Sequence, residues 1–258
     1  MRTIPLTAKH ARDIASLHIQ GINTGFISSL GIDFVTALYE AIAKSTSSFG
    51  YAVEDNDKVL GFVTFTTNLN RLYKSIIATK GWRFALLLAG KMFSLEKIKK
   101  VFETLFYPSR IKKQMDVPAA ELLSIAINPE TCRRGLATQL VKKGFEYCQK
   151  MGLDRVKVLV AADNEPANKL YRKCGFRLVG QIDNHGITSN IYEAKTSAAL
   201  SENLSDDKTS RTSLSPDFTQ RSQPAVPMPE PVTGTVLGAG SLITINRRRR
   251  SVRKRRSA

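Results

Sequence analysis

The chain has only three cysteines, three histidines and one tryptophan among its 258 residues. Cys132, Cys148 and Cys174 form no C-x-x-C pair and no even framework, which excludes a disulfide scaffold and points to a reducing compartment with unpaired thiols. No second histidine or cysteine stands at ligand spacing from His18, so no metal site is expected. No apolar run reaches the roughly 20 residues needed to span a bilayer. The opening MRTIPLTAKHARD lacks the apolar stretch of a signal peptide, and a cytoplasmic protein is expected.

Acidic residues are also scarce, 22 against 39 basic ones, for a net charge of +17. That excess is unevenly placed. Residues through Leu200 hold 28 basic and 17 acidic side chains, and the stretch Arg71 to Met115 alone holds 11 and 2. Most of the remaining excess lies in RRRRSVRKRR near the C-terminus. Outside this stretch and the tail the chain is nearly neutral.

What is present centres on Glu121 to Gly152. Leu122-Leu123-Ser124-Ile125-Ala126-Ile127 is a short apolar run ended by Asn128-Pro129, which predicts a buried strand. After Gly135, apolar residues recur at helical spacing through Leu136, Leu140, Val141, Gly144, Phe145 and Cys148, with Gly152 as the stop. Arg133, Arg134, Gly135, Leu136, Ala137 and Thr138 thus fall at a helix N-terminus. Free backbone N–H groups and the helix dipole make such a turn a cradle for a diphosphate, and Gly135 permits close approach. Val156 to Val160 predicts a second strand, followed by a short helix that Asn164 caps, with Pro166 in its first turn and Gly175 at its end.

Two motifs here resemble the GNAT superfamily of N-acetyltransferases. Its Q/R-x-x-G-x-G/A loop is similar to Cys132 through Ala137, with Cys132 where the superfamily has Gln or Arg. Its N-x-x-A-x-x-L-Y-x-x-x-G-F segment matches Asn164, Ala167, Leu170, Tyr171, Gly175 and Phe176 without a gap. The resemblance implies an α/β fold of the α+β type, a mixed central sheet flanked by helices, over residues 1–195. It also implies acetyl-CoA as acetyl donor and no metal. Backbone groups of Ile125, Ala126 and Ile127 would hold the pantetheine arm. The Arg133 to Thr138 turn would hold the diphosphate, and Asn164, Asn168 and Tyr171 would face the donor.

The rest of the chain fits around these motifs. Thr7 caps a helix through Ile19 with Ala11, Ile14, Ala15 and His18 inward; Phe34, Val35, Leu38, Tyr39 and Ile42 mark a second helix. Phe49 to Glu54 and Lys58 to Thr66 predict a hairpin about Asp55-Asn56-Asp57. About fifty residues then intervene before the central strand. The stripe of Leu95, Ile98, Val101, Phe102, Leu105 and Phe106, opposite Lys97, Lys99 and Lys100, predicts a basic amphipathic helix in this insertion. The insertion either packs on the sheet or meets an anionic membrane surface; a nucleic-acid partner does not fit it. Arg177 to Gln181 and Thr188 to Ala194 predict the last strands. Residues 196–258 are Ser-, Thr- and Pro-rich without periodicity, which predicts a disordered tail.

Acetyl transfer to an amine needs a held thioester, an uncharged amine and a proton for the thiolate. Tyr171 is the candidate acid; Glu121, then His185, is the candidate base. N-acetyltransferases of ribosomal-protein alanine carry a glutamate where Leu159 stands, which argues against that branch. Neutralising a lysine ε-amine at pH 7 costs about 4.6 kcal/mol, an α-amine about 1. A site without a strong base therefore suits a small-molecule amine of low pKa, such as an α-amine or an amino sugar of surface polysaccharide synthesis. A protein N-terminus or lysine as acceptor, and a non-catalytic acyl-CoA-binding module, are the alternatives.

Overall fold

A computed structural model describes residues 1–22, 26–89, 117–132, 134–184 and 187–197. The strands are β1 (Arg2–Pro5), β2 (Ser48–Asp55), β3 (Lys58–Thr66), β4 (Glu121–Ile127), β5 (Arg155–Ala161), β6 (Arg177–Asn184) and β7 (Ile187–Lys195). The helices are α1 (Ala11–Gly21), α2 (Phe26–Ser29), α3 (Ile32–Lys44), α4 (Leu69–Ala89), α5 (Leu136–Lys150) and α6 (Glu165–Lys173). A seven-stranded mixed sheet runs β1-β2-β3-β4-β5-β7-β6, and β4–β5 is its parallel pair. This is the expected mixed sheet flanked by helices.

Each face of the sheet carries its own core. On one face Leu140, Val141 and Phe145 of α5 and Tyr171 of α6 pack on Val63, Phe65, Leu122, Ile125 and Val158. On the other, Ile14 and Ala15 of α1, Val35 and Tyr39 of α3 and Leu72 and Ile76 of α4 pack on Ala52, Phe62, Leu123 and Ala126. Fully burying one such apolar side chain contributes roughly 1.5–3 kcal/mol, so the two helical stripes hold the sheet between them.

Gly144 lies inside α5, where glycine costs about 1 kcal/mol relative to alanine. A Cβ there would stand 2.1 Å from the Phe65 ring, so the missing side chain is what lets α5 lie close on β3. The hairpin turn forms at Asn56 and Asp57, both at positive φ (49° and 59°), as a two-residue connection between twisted strands favours.

Several boundaries differ from the sequence expectation. Thr7 opens a short 3-10 turn, Ala8–His10, ahead of α1, with the His10 ring Nδ1 accepting from the Thr7 N–H at 3.1 Å. α1 continues past Ile19 to Gly21, and the last two strands are longer than expected, because their pairing runs to Asn184↔Ile187. The first part of the insertion is the helix α4, which starts at Leu69 and packs inward through Leu69, Leu72, Ile76 and Phe84. Arg83 ties it to Glu40 of α3 at 2.6 Å. The stripe from Leu95 to Phe106, the His185 loop and residues 198–258 lie outside the described residues.

Candidate active site

β4 bulges before it leaves its neighbour. Thr64 of β3 pairs with Ser124 and Phe65 with Leu122, so Leu123 is an extra residue on β4. The bulge breaks the two-residue alternation of the strand: Leu122 and Ile125 enter one core, Leu123 and Ala126 the other. On its far side β4 pairs with β5 only at Glu121↔Lys157 and Leu122↔Val158. Beyond these, β4 stays paired to β3 as far as Gly61↔Ile127, and β5 to β7 as far as Ala161↔Ser189. The two parallel strands therefore separate, and residues from Ser124 to Ile127 border a wedge that opens toward their C-terminal ends.

Both helix N-termini lie at that end, because α5 follows β4 and α6 follows β5. Gly135 caps α5 in the left-handed region at φ 74°, with no side-chain cap and no acidic residue in the first turn. Among the described residues, its two chain neighbours aside, no atom stands within 4 Å of where its Cβ would be. The turn thus presents unshielded N–H groups of Leu136, Ala137 and Thr138 to open space, a suitable seat for an anion. Arg134 is exposed beside it, and Arg133 is outside the described residues. The Cys132 thiol turns back to donate to the Asn128 carbonyl at 3.5 Å.

Asn164 caps α6, its Oδ1 accepting from Ala167 N–H at 3.3 Å. Asn168 is buried and engaged on both sides. Its Nδ2 donates to the carbonyls of Ala161 and Asn164, and its Oδ1 accepts from Asn190 Nδ2 at 2.8 Å. This side chain locks α6 to β5 and β7, which makes it a support of the wedge rather than a free ligand-binding group.

Tyr171 is fully buried against Phe176 and Tyr192. Its Oη finds no hydrogen-bond partner among the described residues. A buried hydroxyl left unpaired costs about 1–3 kcal/mol. Burial, and then the nearby Cys174, pushes its phenol well above the ordinary tyrosine range, so it keeps its proton.

Glu121 and Lys157 form a buried ion pair at 3.2 Å where β4 and β5 still touch, and Lys157 also donates to the Pro118 carbonyl. The carboxylate named as first candidate base is therefore already engaged by an ammonium, at the closed end of the wedge. Leu159 is buried with Ile191, so an apolar pair stands where a glutamate would mark the alternative branch.

A polar chain escaped the sequence reading. His18 Nδ1 lies 2.7 Å from Tyr39 Oη, Tyr39 Oη 2.9 Å from Ser124 Oγ, and Ser124 Oγ 2.7 Å from Thr64 Oγ1. Burial holds His18 neutral, its pKa lowered to about 4. The sequence signal was available: a histidine and a tyrosine at inward helical positions, and a serine and a threonine inside apolar strands.

Among the described residues no group of three or more His, Cys, Asp or Glu could hold a metal, and no helix is long and apolar enough to cross a membrane.

Residues 23–176, more than half of the chain, match the model of the acetyltransferase (GNAT) family. The chain belongs to that family. A mycothiol acetyltransferase of Clavibacter michiganensis subsp. michiganensis is 40% identical over 58 residues, 22% of this chain and 19% of the relative. The L-amino acid N-acetyltransferase AaaT of Escherichia coli is 30% identical over 69 residues, 26% of this chain and 43% of the relative. The chain thus spans less than half the length of these relatives. Among solved structures, Arabidopsis thaliana NAA60 in complex with acetyl-CoA has a TM-score of 0.48 at 15% identity, covering 75% of this chain and 97% of its own.

Proposed function

We propose that the chain is an acetyl-CoA-dependent N-acetyltransferase acting on a primary amine of a small molecule, with residues 1–195 as its catalytic domain. The observations that carry this reading are the wedge between β4 and β5, the open Gly135 turn at the end where it widens, and a buried Tyr171 hydroxyl with no hydrogen-bond partner among the described residues. Those features fit a ligand with a diphosphate, an amide-bearing arm and a sulfur. Acetyl-CoA supplies an activated acetyl group: the acceptor's C–N bond forms as the C–S bond breaks, the nitrogen sheds one proton to solvent, and the departing thiolate takes one up.

The chain's residues divide that work. The α5 N-terminus from Gly135 to Thr138, with Arg134 beside it, binds the diphosphate. Backbone groups of Ile125, Ala126 and Ile127 hold the arm, and one N–H at the bulge polarises the carbonyl, where a fixed donor is worth most. Tyr171 donates to the sulfur, and burial, which raises its own pKa, raises the proton affinity of a thiolate beside it in the same direction. With Glu121 tied to Lys157, the site has no strong base among its described residues. That favours an amine with a substantial uncharged fraction, an α-amine or an amino sugar, over a lysine side chain. The relative named for L-amino acids, whose amine is an α-amine, supports the same class.

A screen of amine acceptors with acetyl-CoA and a thiol-release readout tests the reading. Turnover with α-amines or amino sugars well above that with alkyl ε-amines is the expected result. Tight acetyl-CoA binding without thiol release for any amine would leave the acyl-CoA-binding module.

A peripheral membrane contact is favoured by one further observation. On α4 the outer face places Trp82 (70% exposed) and Leu86 (64% exposed) beyond Arg71 and Lys74. Exposed aromatic and aliphatic side chains on a helix that also exposes cations suit an anionic lipid surface.

A further inference from the structure

His18, Tyr39, Ser124 and Thr64 are all fully buried, and they come from four different elements, α1, α3, β4 and β3. Four hydroxyl and imidazole groups in an apolar core are stable only while they satisfy one another. Apolar side chains of the same shape would cost little or nothing there. Their retention at one point of the sheet therefore calls for a reason other than stability, and the point they meet is Ser124. This residue closes the β4 bulge and is followed at once by the amides that border the wedge.

The chain has a direction. The His18 Nε2 is buried and has no hydrogen-bond partner among the described residues. If Nδ1 accepted from Tyr39, the Nε2 hydrogen would be the orphan, and orphaned buried N–H groups are rare. The cheaper arrangement has Nδ1–H donating to Tyr39, Tyr39 donating to Ser124 and Ser124 donating to Thr64. In that order His18 is a fixed donor and not a proton acceptor, consistent with the neutrality that burial imposes on it.

We propose that His18 and Tyr39 are positioning residues for acetyl transfer, acting through Ser124 to fix the bulge and so the backbone N–H groups that meet the thioester carbonyl. The inference rests on the acetyl-transfer reading above. A carbonyl-polarising donor works only within tenths of an ångström of its place, and displacement by about 1 Å can cost roughly 100-fold in rate. The diphosphate is held elsewhere, at the α5 N-terminus, so much of the cofactor affinity does not depend on the chain.

Steady-state kinetics and calorimetry on the full chain test this. Tyr39→Phe removes one hydroxyl at nearly constant volume. It should lower kcat by about 10- to 100-fold while the affinity for CoA stays within about threefold. His18→Leu should lower kcat comparably. The double variant should lose no more than the worse single, because both changes break one chain. Ser124→Thr, which keeps the hydroxyl, should retain more of kcat than Ser124→Ala, and this pair decides the matter if Tyr39→Phe fails to fold. A Tyr39→Phe kcat within about twofold of the parent, measured where both are folded, overturns the positioning role. So does a double variant whose losses multiply. A parent with no turnover on any amine overturns the acetyl-transfer reading and this one together; an active parent with an indifferent Tyr39→Phe overturns this one alone.

Discussion

Acid should destabilise this protein through His18. The imidazole is enclosed by α1, α3 and the sheet, and burial alone lowers its pKa from 6.5 to about 4; no charged group contributes. In the unfolded chain it titrates near 6.5. Between those values the unfolded state binds a proton that the folded state refuses, so stability falls as pH falls through that window. Each unit of pKa difference is worth about 1.4 kcal/mol. The stability lost between pH 7 and pH 5 is then about 2 kcal/mol, and about 3 kcal/mol in total by the low end. His10, also lowered chiefly by burial, adds in the same direction. Glu54 does not confuse the window, because its pKa is lowered by Arg2 and its contribution is lost only below the ordinary carboxylate value. Urea unfolding of the parent and of His18→Asn at pH 7, 6 and 5 isolates the effect. Asparagine can still bond Tyr39 but cannot titrate. The variant should start lower at pH 7 and lose about 2 kcal/mol less than the parent on going to pH 5. Equal pH slopes for the two proteins would refute the assignment of that proton to His18.

Gly135→Asp places a carboxylate in the open space above the α5 N-terminus; acetyl-CoA binding by calorimetry should vanish, while the left-handed φ of 74° should cost only about 1–2 kcal/mol of stability. Tyr171→Phe removes a hydroxyl that has no partner among the described residues, so stability should be unchanged or raised by up to about 1 kcal/mol, with acetyl-CoA affinity kept and kcat reduced. A kcat within about twofold of the parent would make Tyr171 a packing residue. Gly144→Ala drives a methyl into the Phe65 ring and should destabilise by about 1–3 kcal/mol in chemical unfolding despite the better helix propensity of alanine. Paired Trp82→Ser and Leu86→Ser changes should abolish co-sedimentation with anionic vesicles without altering turnover; binding that persists would place the contact elsewhere on the chain.

The sequence by itself determined the elements that carry strong local signals. The short apolar run from Leu122 to Ile127, stopped by Asn128-Pro129, predicts a buried strand, and the stripe from Leu136 to Cys148 predicts a helix with one face inward. The order strand, glycine turn, helix then places free N–H groups at Gly135, and Asn164 with Pro166 marks where α6 starts. These are consequences of residue spacing and backbone geometry, so no distant contact was needed to read them. The bulge was not legible, because it depends on which residue of β3 faces which residue of β4, and a one-residue offset leaves no mark on composition. The fate of Glu121 was decided by Lys157, thirty-six positions away, brought beside it by the two ladder pairs of β4 and β5. Asn168, which motif position assigned to the ligand, is consumed by Asn190 of β7. His18, Tyr39, Ser124 and Thr64 read separately as an inward histidine, a core tyrosine and two small polar strand residues. Only the packing of α1 and α3 against the bulge joins them into one chain, because a hydrogen bond is set by distances of about 3 Å that sequence separation does not encode.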